Sequence, residues 1–495
     1  MREFSESRVI ESTNTSIIAK GITLIEPVIV KTRCINSEKL FYWRSDMNTW
    51  GAHVYRVGNV ENLDVQNPEK KIELQKKNIE PWLAAVFQSE HLALLLGSGF
   101  TKAVAQHAGV KASDMTSDYN DFPFASKLEN AANKAAKDMK RGIANIEDQI
   151  RAVNMLTHGL MILEDDSYTV VVSALDALFK RFLNEIIETE RNLKAAVEKC
   201  AMRRKTVSNP LFEVKVEEEA QEKLDPLIML VSFLLSFSSR TATRERLHIL
   251  TTNYDRLIEY GADLAGLHLL DRFIGCLEPV FRSSRLDIDM HYNPPGIRGE
   301  PRYLEGVVRL TKLHGSLDWV YRNGYVRKVG LPFGPQDNHP AINDQPSGSV
   351  MIYPNYAKDR ETSEYPYVEL FRDYAATVCR PNSVLVTYGY GFGDEHINRT
   401  IVDMLTIPST HLVIISYSDE GNRISSFYED VGREAQITLL IGQHFGDMPT
   451  LVENYLPKPA IDRITIRQTE ILRNRGWEPS NDSNTENKPD TEMKP

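Results

Sequence analysis

Cysteine is scarce and scattered. The four residues, Cys34, Cys200, Cys276 and Cys379, lie far apart and form no CxxC pair. That excludes a zinc ribbon of paired cysteines and a dense disulfide framework, and it suits reduced thiols in a cytoplasm. Long hydrophobic runs are also missing. The most apolar stretch, Pro226 to Phe237, is too short to span a bilayer and reads as a buried helix. The segment Met1 to Ser16 is polar and charged, unlike a signal peptide. A cytoplasmic protein without membrane association is therefore expected. Basic residues are outnumbered, 58 Lys and Arg against 68 Asp and Glu for a net charge of -10, so nucleic acid is not indicated as a partner. Walker A and the full GxGxxG fingerprint are both absent. What is present is ordinary for a globular protein: 42% hydrophobic and 25% charged residues, in a chain of 495 that exceeds one usual core.

In chain order, residues 1–67 read as a small β-rich amino-terminal extension. Its short runs are Ile17-Ile18, Ile22 to Val30, Lys39 to Trp43 and His53 to Val57. No chemical motif lies there, and packing or oligomer contact is its expected use. Residues 68–455 read as one α/β domain. A helix with Ile72, Leu74, Ile79, Leu83 and Val86 along one face leads to the apolar run His91 to Leu96, followed at once by Gly97-Ser98-Gly99-Phe100-Thr101. A continuous apolar run ending in glycines reads as a central parallel strand entering a phosphate-binding loop. On GxG alone, an ordinary strand-to-helix turn is the commoner explanation.

Residues from about 125 to 240 read as a helical insertion. Leu128, Ala132, Ala135, Met139, Ile143, Ile146, Ile150 and Val153 form one amphipathic stripe. Glu164-Asp165-Asp166-Ser167 breaks it before a second helix through Leu178, Phe182, Ile186 and Leu193. Strands then resume at Leu247–Thr251, Gly306–Leu313, Ser383–Tyr388, His411–Ser416 and Gln436–Ile441. With the strand at 91 this makes about six, the number of an open Rossmann-like parallel sheet, and ligands of such sheets bind beyond the strand carboxyl ends. Residues 276–305 and 322–349 read as long loops. Residues 456–495 form a carboxy-terminal segment, polar and expected to be disordered from about 477.

Four strand-end motifs follow one another: GSG at 97–99, TNYD at 252–255, KLHGS at 312–316 and GYGFGDEHIN at 389–398. Their order and residue types resemble the sirtuin-like family over roughly residues 85–445. Within it they look like the NAD hydrolases of bacterial antiphage defence rather than the protein deacylases. KLHGS and GYGFGDEHIN are the specific parts. The resemblance implies a Rossmann-like NAD domain, NAD as substrate and no metal. It places Gly97, Ser98, Gly99 and Thr101 on the pyrophosphate, and Asn253 and Asp255 beside the nicotinamide ribose. Thr252 stands where many sirtuins have glutamine. Asp121 to Phe124 takes the place of the family's proline-containing loop near the nicotinamide. His314 becomes the catalytic histidine with Asn253 as its catalytic companion, and Gly315 adjoins the cofactor. Gly389, Gly391 and Asp394 fall near the adenosine half.

The chemistry suits these residues. Cleaving nicotinamide from ribose develops oxocarbenium character at the anomeric carbon. Nicotinamide leaves neutral, so a base and an oriented nucleophile matter more than an acid. An imidazole accepts protons near neutral pH, and an amide can orient water or ribose. Sirtuin deacylases carry a zinc ribbon beside the acyl-lysine groove. Its absence here turns the expectation towards water as acceptor and a gated NAD hydrolase that depletes NAD in antiphage defence. A deacylase or ADP-ribosyltransferase is the alternative within enzymes, and a non-catalytic NAD- or nucleotide-sensing subunit is the alternative outside them. The resemblance further implies a homo-oligomer or a separate activating subunit, such as a HerA-type ATPase.

Overall fold

The computed structural model describes residues 50–458 apart from 51, 58–62, 65–71, 113–121, 139–143, 208–225, 241–243, 285–288, 293–301, 337–338, 344–349 and 353–364. The chain divides into Met1–Gly51 and Ala52–Pro495. Of the first unit only Trp50 is described, so most of the expected β-rich extension lies outside the described residues, as does the tail beyond 458.

The second unit is built on one nine-stranded sheet. Its strands are β1 (Val54–Val57), β2 (Leu63–Asp64), β3 (His91–Leu96), β4 (His248–Thr251), β5 (His268–Leu270), β6 (Val307–Lys312), β7 (Ser383–Tyr388), β8 (His411–Ser416) and β9 (Ile437–Ile441). They lie in the order β2-β1-β9-β8-β7-β3-β4-β6-β5. All neighbours from β9 to β5 pair in parallel. Leaving out β5, the outward order β6-β4-β3-β7-β8-β9 is the doubly wound Rossmann order, with its switch point between β3 and β7. The central strands are buried on both faces, which is why Leu92 to Leu96 and Leu412 to Ile415 read as unbroken apolar runs rather than alternating ones. β1 pairs antiparallel with β9 and β2 with β1, so Val54–Val57 and Leu63–Asp64 extend this sheet on one side.

Helices α1 (Ile72–Val86), α2 (Ser98–Ala108), α3 (Ala125–Asp138), α4 (Ile146–Ile162), α5 (Ser167–Val207) and α6 (Pro226–Ser238) lie between β2 and β4 along the chain, α1 preceding β3. The single stripe expected from Leu128 to Val153 is two helices. Asn145 caps α4 through a box in which its side chain accepts from Asp148 N and Asp148 accepts from Asn145 N. Helices α3, α4 and the first half of α5 form their own core of Leu128, Ile150, Val153, Leu178 and Phe182. Tyr254 and Leu317 join it, so the insertion packs directly on the strand-end loops. Helix α6 does not share that core. Its Met229, Leu230, Phe233 and Phe237 pack with Leu94, Leu96 and Tyr388 on the main sheet.

Two strands within the stretches expected to be plain loops, Val280–Phe281 and Tyr325–Lys328, belong to a second, five-stranded sheet. It runs Val350–Ile352, Gly315–Arg322, Tyr325–Lys328, Val280–Phe281, Phe273–Ile274. Asn323 and Gly324 both have positive φ (51° and 81°), the two-residue hairpin turn that an Asn-Gly pair favours. Among the described residues no helix is long and apolar enough to cross a membrane.

Two strand histidines give the fold an acid limit. Burial, with Arg309, Arg380 and Arg272 nearby, pulls His248 down to about 3. Its ring nitrogens bond the hydroxyls of Thr311 and Thr377, each at 2.8 Å. Burial likewise pulls His411 down to about 4. In the unfolded chain both protonate near about 6.5. Below that pH the unfolded state binds more protons, so this stability is full above about 6.5 and falls with pH until the native groups titrate. Between pH 7 and 5.5 the pair is expected to cost about 2–3 kcal/mol. Urea unfolding at the two pH values checks this. The His248→Gln/His411→Gln double variant should lose most of the pH difference; an unchanged difference removes the histidines as its source.

Candidate functional site

The loops after β3, β4, β6 and β7 meet at the carboxyl edge of the sheet, at the switch point. Contact there begins with main chain against main chain. A Cβ on Gly97 would stand 2.5 Å from Gly389 O, and one on Gly99 2.6 Å from Gly389 Cα. Gly389 itself has φ 61° and would bring a Cβ within 2.6 Å of Phe100 N. These glycines are required by one another. Gly97 N donates to Tyr388 O and Gly99 N to Gly389 O, at 3.2 and 3.0 Å. The two amides expected to cradle a pyrophosphate are thus engaged in joining the β3 and β7 loops.

The β4 loop is braced next. Asn253 Nδ2 donates to Gly97 O and to Thr101 Oγ1, each at 3.0 Å. Thr101 Oγ1 donates in turn to Asp255 Oδ2 at 2.8 Å, and Asp255 Oδ1 accepts from Leu257 N at 3.1 Å. Thr101, expected on the pyrophosphate, is therefore the link that fixes the Asn253 amide. Asp255 anchors the loop, lining the cavity at the same time. Asn253 Oδ1 has no hydrogen-bond partner among the described residues and is left to the cavity. The lysine of KLHGS is structural. Buried Lys312 donates through Nζ to Asp255 O and to Glu259 Oε1. Leu317 N and Ser316 Oγ both donate to Tyr254 O.

His314 follows β6 and is 8% exposed. Its Nε2 lies 2.9 Å from Asp394 Oδ2. Asp394 opens helix α9 (Glu395–Leu405; α7 is Leu257–Ala265 and α8 Tyr367–Val378) and caps it, Oδ1 accepting from His396 N at 3.1 Å. Asp394, expected near the adenosine half, instead holds the catalytic candidate. A carboxylate on Nε2 fixes the ring with its proton on that nitrogen. Nδ1 has no partner among the described residues. The rest of the late loop supports this placement. Tyr390 Oη donates to Asp394 O and Asn398 Oδ1, and Asn398 Nδ2 donates to Phe392 O, where Phe392 has φ 51°.

A cavity of about 330 Å³ contains Asn253 and His314 together, with Gly97, Ser98, Thr101, Thr252, Asp255, Gly391 and Asp394 also on its wall. The insertion closes it with Asn145, Glu147, Ile186 and Thr189. Tyr254 Oη donates to Glu147 Oε1 at 3.0 Å; burial first, then the Glu147 charge, raises this phenol well above its usual range. A second cavity of about 240 Å³ adjoins on the β8 side, bounded by Gly99, Gly389, Ser416, Tyr417, Asp447 and Met448. Ser98, Lys102, Tyr390, Gly391, Glu420 and Arg423 line both. Gly315 lines neither. With φ 86° it turns the chain from His314 into the second sheet. Asp121 is outside the described residues, Phe122 is buried in the core of the insertion, and none of the described residues 122–124 lines either cavity.

Sequence reasoning missed Asn145, Glu147 and Arg423. The first two sit in the insertion, and only the tertiary fold brings them to the cavity. Arg423 begins helix α10 (Arg423–Val431), after the Ser416–Glu420 loop at the end of β8. Its place after a strand end was the available signal.

Residues 247–435 match the family model described as a SIR2-like domain. The match takes in β4 to β8, Asn253, Asp255, His314, Gly389, Asp394 and Arg423, while the β3 loop precedes it. Domains of this kind use NAD, and the match suggests an NAD-related function for this chain. No curated protein matches the chain.

Proposed function

We propose that this protein hydrolyses NAD to nicotinamide and ADP-ribose in the cavity shared by Asn253 and His314. The observation carrying this reading is the His314–Asp394 hydrogen bond at 2.9 Å, made inside the cavity that also holds Asn253. Taken together, the two adjoining cavities are of the size class that holds a cofactor, and their junction at a switch point suits a dinucleotide. The first cavity's wall also carries Gly97, Ser98, Thr101, Asn253, Asp255 and Gly391, residues that the sequence resemblance assigns to NAD.

In this reading, the bond from the anomeric carbon to nicotinamide breaks and its electron pair leaves with nicotinamide. Water oxygen bonds to that carbon. His314 Nδ1 takes the proton, directly or from a ribose hydroxyl, while Asp394 holds the opposite ring nitrogen and stabilises the imidazolium. Asn253 Oδ1 orients the water or the ribose. The insertion side chains around this pair favour a small acceptor, water, over an acyl-lysine chain. We hold the activity to be gated, by self-assembly or by a partner such as a HerA-type ATPase, because unrestrained hydrolysis would drain NAD. Depletion of NAD in antiphage defence is the role that the resemblance supports.

The test is purified protein, alone and co-expressed with its genomic neighbours, incubated with NAD while nicotinamide and ADP-ribose are quantified. Both products should form without any acylated peptide. His314→Ala and Asn253→Ala should each lose roughly 10²-fold or more in turnover. Equal turnover by wild type and both variants would move the chemistry elsewhere.

A further inference from the structure

We infer that Arg423 is the anchor for the diphosphate of a dinucleotide that runs from one cavity into the other. The inference rests on the NAD reading for the ligand's identity and on Arg423's own surroundings for its site. Arg423 lines both cavities, so its guanidinium stands at their junction. Its side chain is 20% exposed, and its Nε is buried without a hydrogen-bond partner among the described residues. The acidic neighbour, Glu420, is 3.8 Å away, beyond hydrogen-bond reach, and its side chain is 78% exposed, so solvent screens it. A half-buried guanidinium left in this way is poised for an anion, and its planar fork matches phosphate oxygens.

Two features of the loops make the same point. The glycine amides that would serve a phosphate in an open glycine loop are bonded to Tyr388 O and Gly389 O, which leaves a larger share of anion binding to side chains. Gly391 lies close against this guanidinium. A Cβ there would lie 3.2 Å from Arg423 Nη2, so the missing side chain makes room for the guanidinium. Lys102, one turn into α2, lines both cavities as well and adds a second positive charge to the junction.

The experiment is calorimetric titration of the full chain with ADP and with adenosine, which share a base and ribose but differ in the diphosphate. Wild type should bind ADP more tightly. Arg423→Gln should weaken ADP roughly 10- to 100-fold and move adenosine by no more than about threefold. Gly391→Ala keeps the charge but intrudes on it, and should weaken ADP by a smaller factor. It also serves if Arg423→Gln fails to fold. The inference is overturned if wild type does not prefer ADP, if Arg423→Gln binds ADP as wild type does, or if ADP and adenosine weaken equally. Nicotinamide release reports separately on hydrolysis. Diphosphate selectivity without turnover leaves the anchor standing and sinks only the hydrolase.

Discussion

Asparagine in place of Asp394 is expected to lower kcat for nicotinamide release roughly 10²- to 10⁴-fold, with KM for NAD changed by less than about threefold. The introduced amide can still cap α9, because its carbonyl oxygen replaces Oδ1 on His396 N. What it then offers His314 is an N–H. Nε2 must become the acceptor, the proton moves to Nδ1, and the nitrogen facing the cavity is no longer a base. The loss corresponds to about 3–5 kcal/mol of transition-state stabilisation. A binding role for Asp394, the one suggested by sequence, gives the opposite pattern, a raised KM with kcat retained. Selective ¹⁵N-histidine spectra separate the cases without turnover: His314 should carry its proton on Nε2 in wild type and on Nδ1 in the variant. An unchanged tautomer would sink the assignment.

Glu190→Ala is expected to destabilise the protein by about 3–5 kcal/mol, the largest effect on folding we foresee for a single side chain. Glu190 is fully buried on α5 and meets Arg256 at 2.5 Å, accepting also from Arg256 N and Gly334 N. Arg256 completes its bonds on Leu331 O and Pro332 O. The pair ties the insertion, the β4 loop and the 331–334 segment to one point. Burial pushes the Glu190 carboxyl up, with Arg256 opposing. Removing the carboxylate leaves a buried guanidinium without its counter-charge, which costs more than the pair ever contributed. Denaturant unfolding of Glu190→Ala beside Glu190→Gln measures it. Glutamine keeps the shape and part of the hydrogen bonding and should lose less. Equal losses would show that the charge is immaterial.

Much of the fold was legible because burial on both faces writes parallel strands as plain apolar runs. Leu92 to Leu96, Val384 to Val386 and Leu412 to Ile415 are such runs. The order of their end motifs carried the cavity, bringing Asn253 and His314 together from positions far apart in sequence. Side-chain duties were less readable. Asp394 and Thr101 are of types that bind ribose or phosphate, and nothing local says that they are engaged by His314 and by Asn253 with Asp255. The second sheet went unread because strands such as Val280–Phe281 and Phe273–Ile274 are two residues long and have no period to detect. Its Asn323-Gly324 turn was a real signal that the surrounding polar composition obscured.

The seam where Gly97 and Gly99 rest on Gly389 bears on how mutational tolerance maps of this protein should be interpreted. In a saturation scan scored by activity, all three positions will reject nearly every replacement and rank with His314. Scored by abundance they will reject the same replacements, whereas His314 substitutions will persist as well-folded, silent protein. Comparing the two scores distinguishes residues that hold the cleft together from residues that act within it, and a map built on activity alone would place the reaction several residues away from its base.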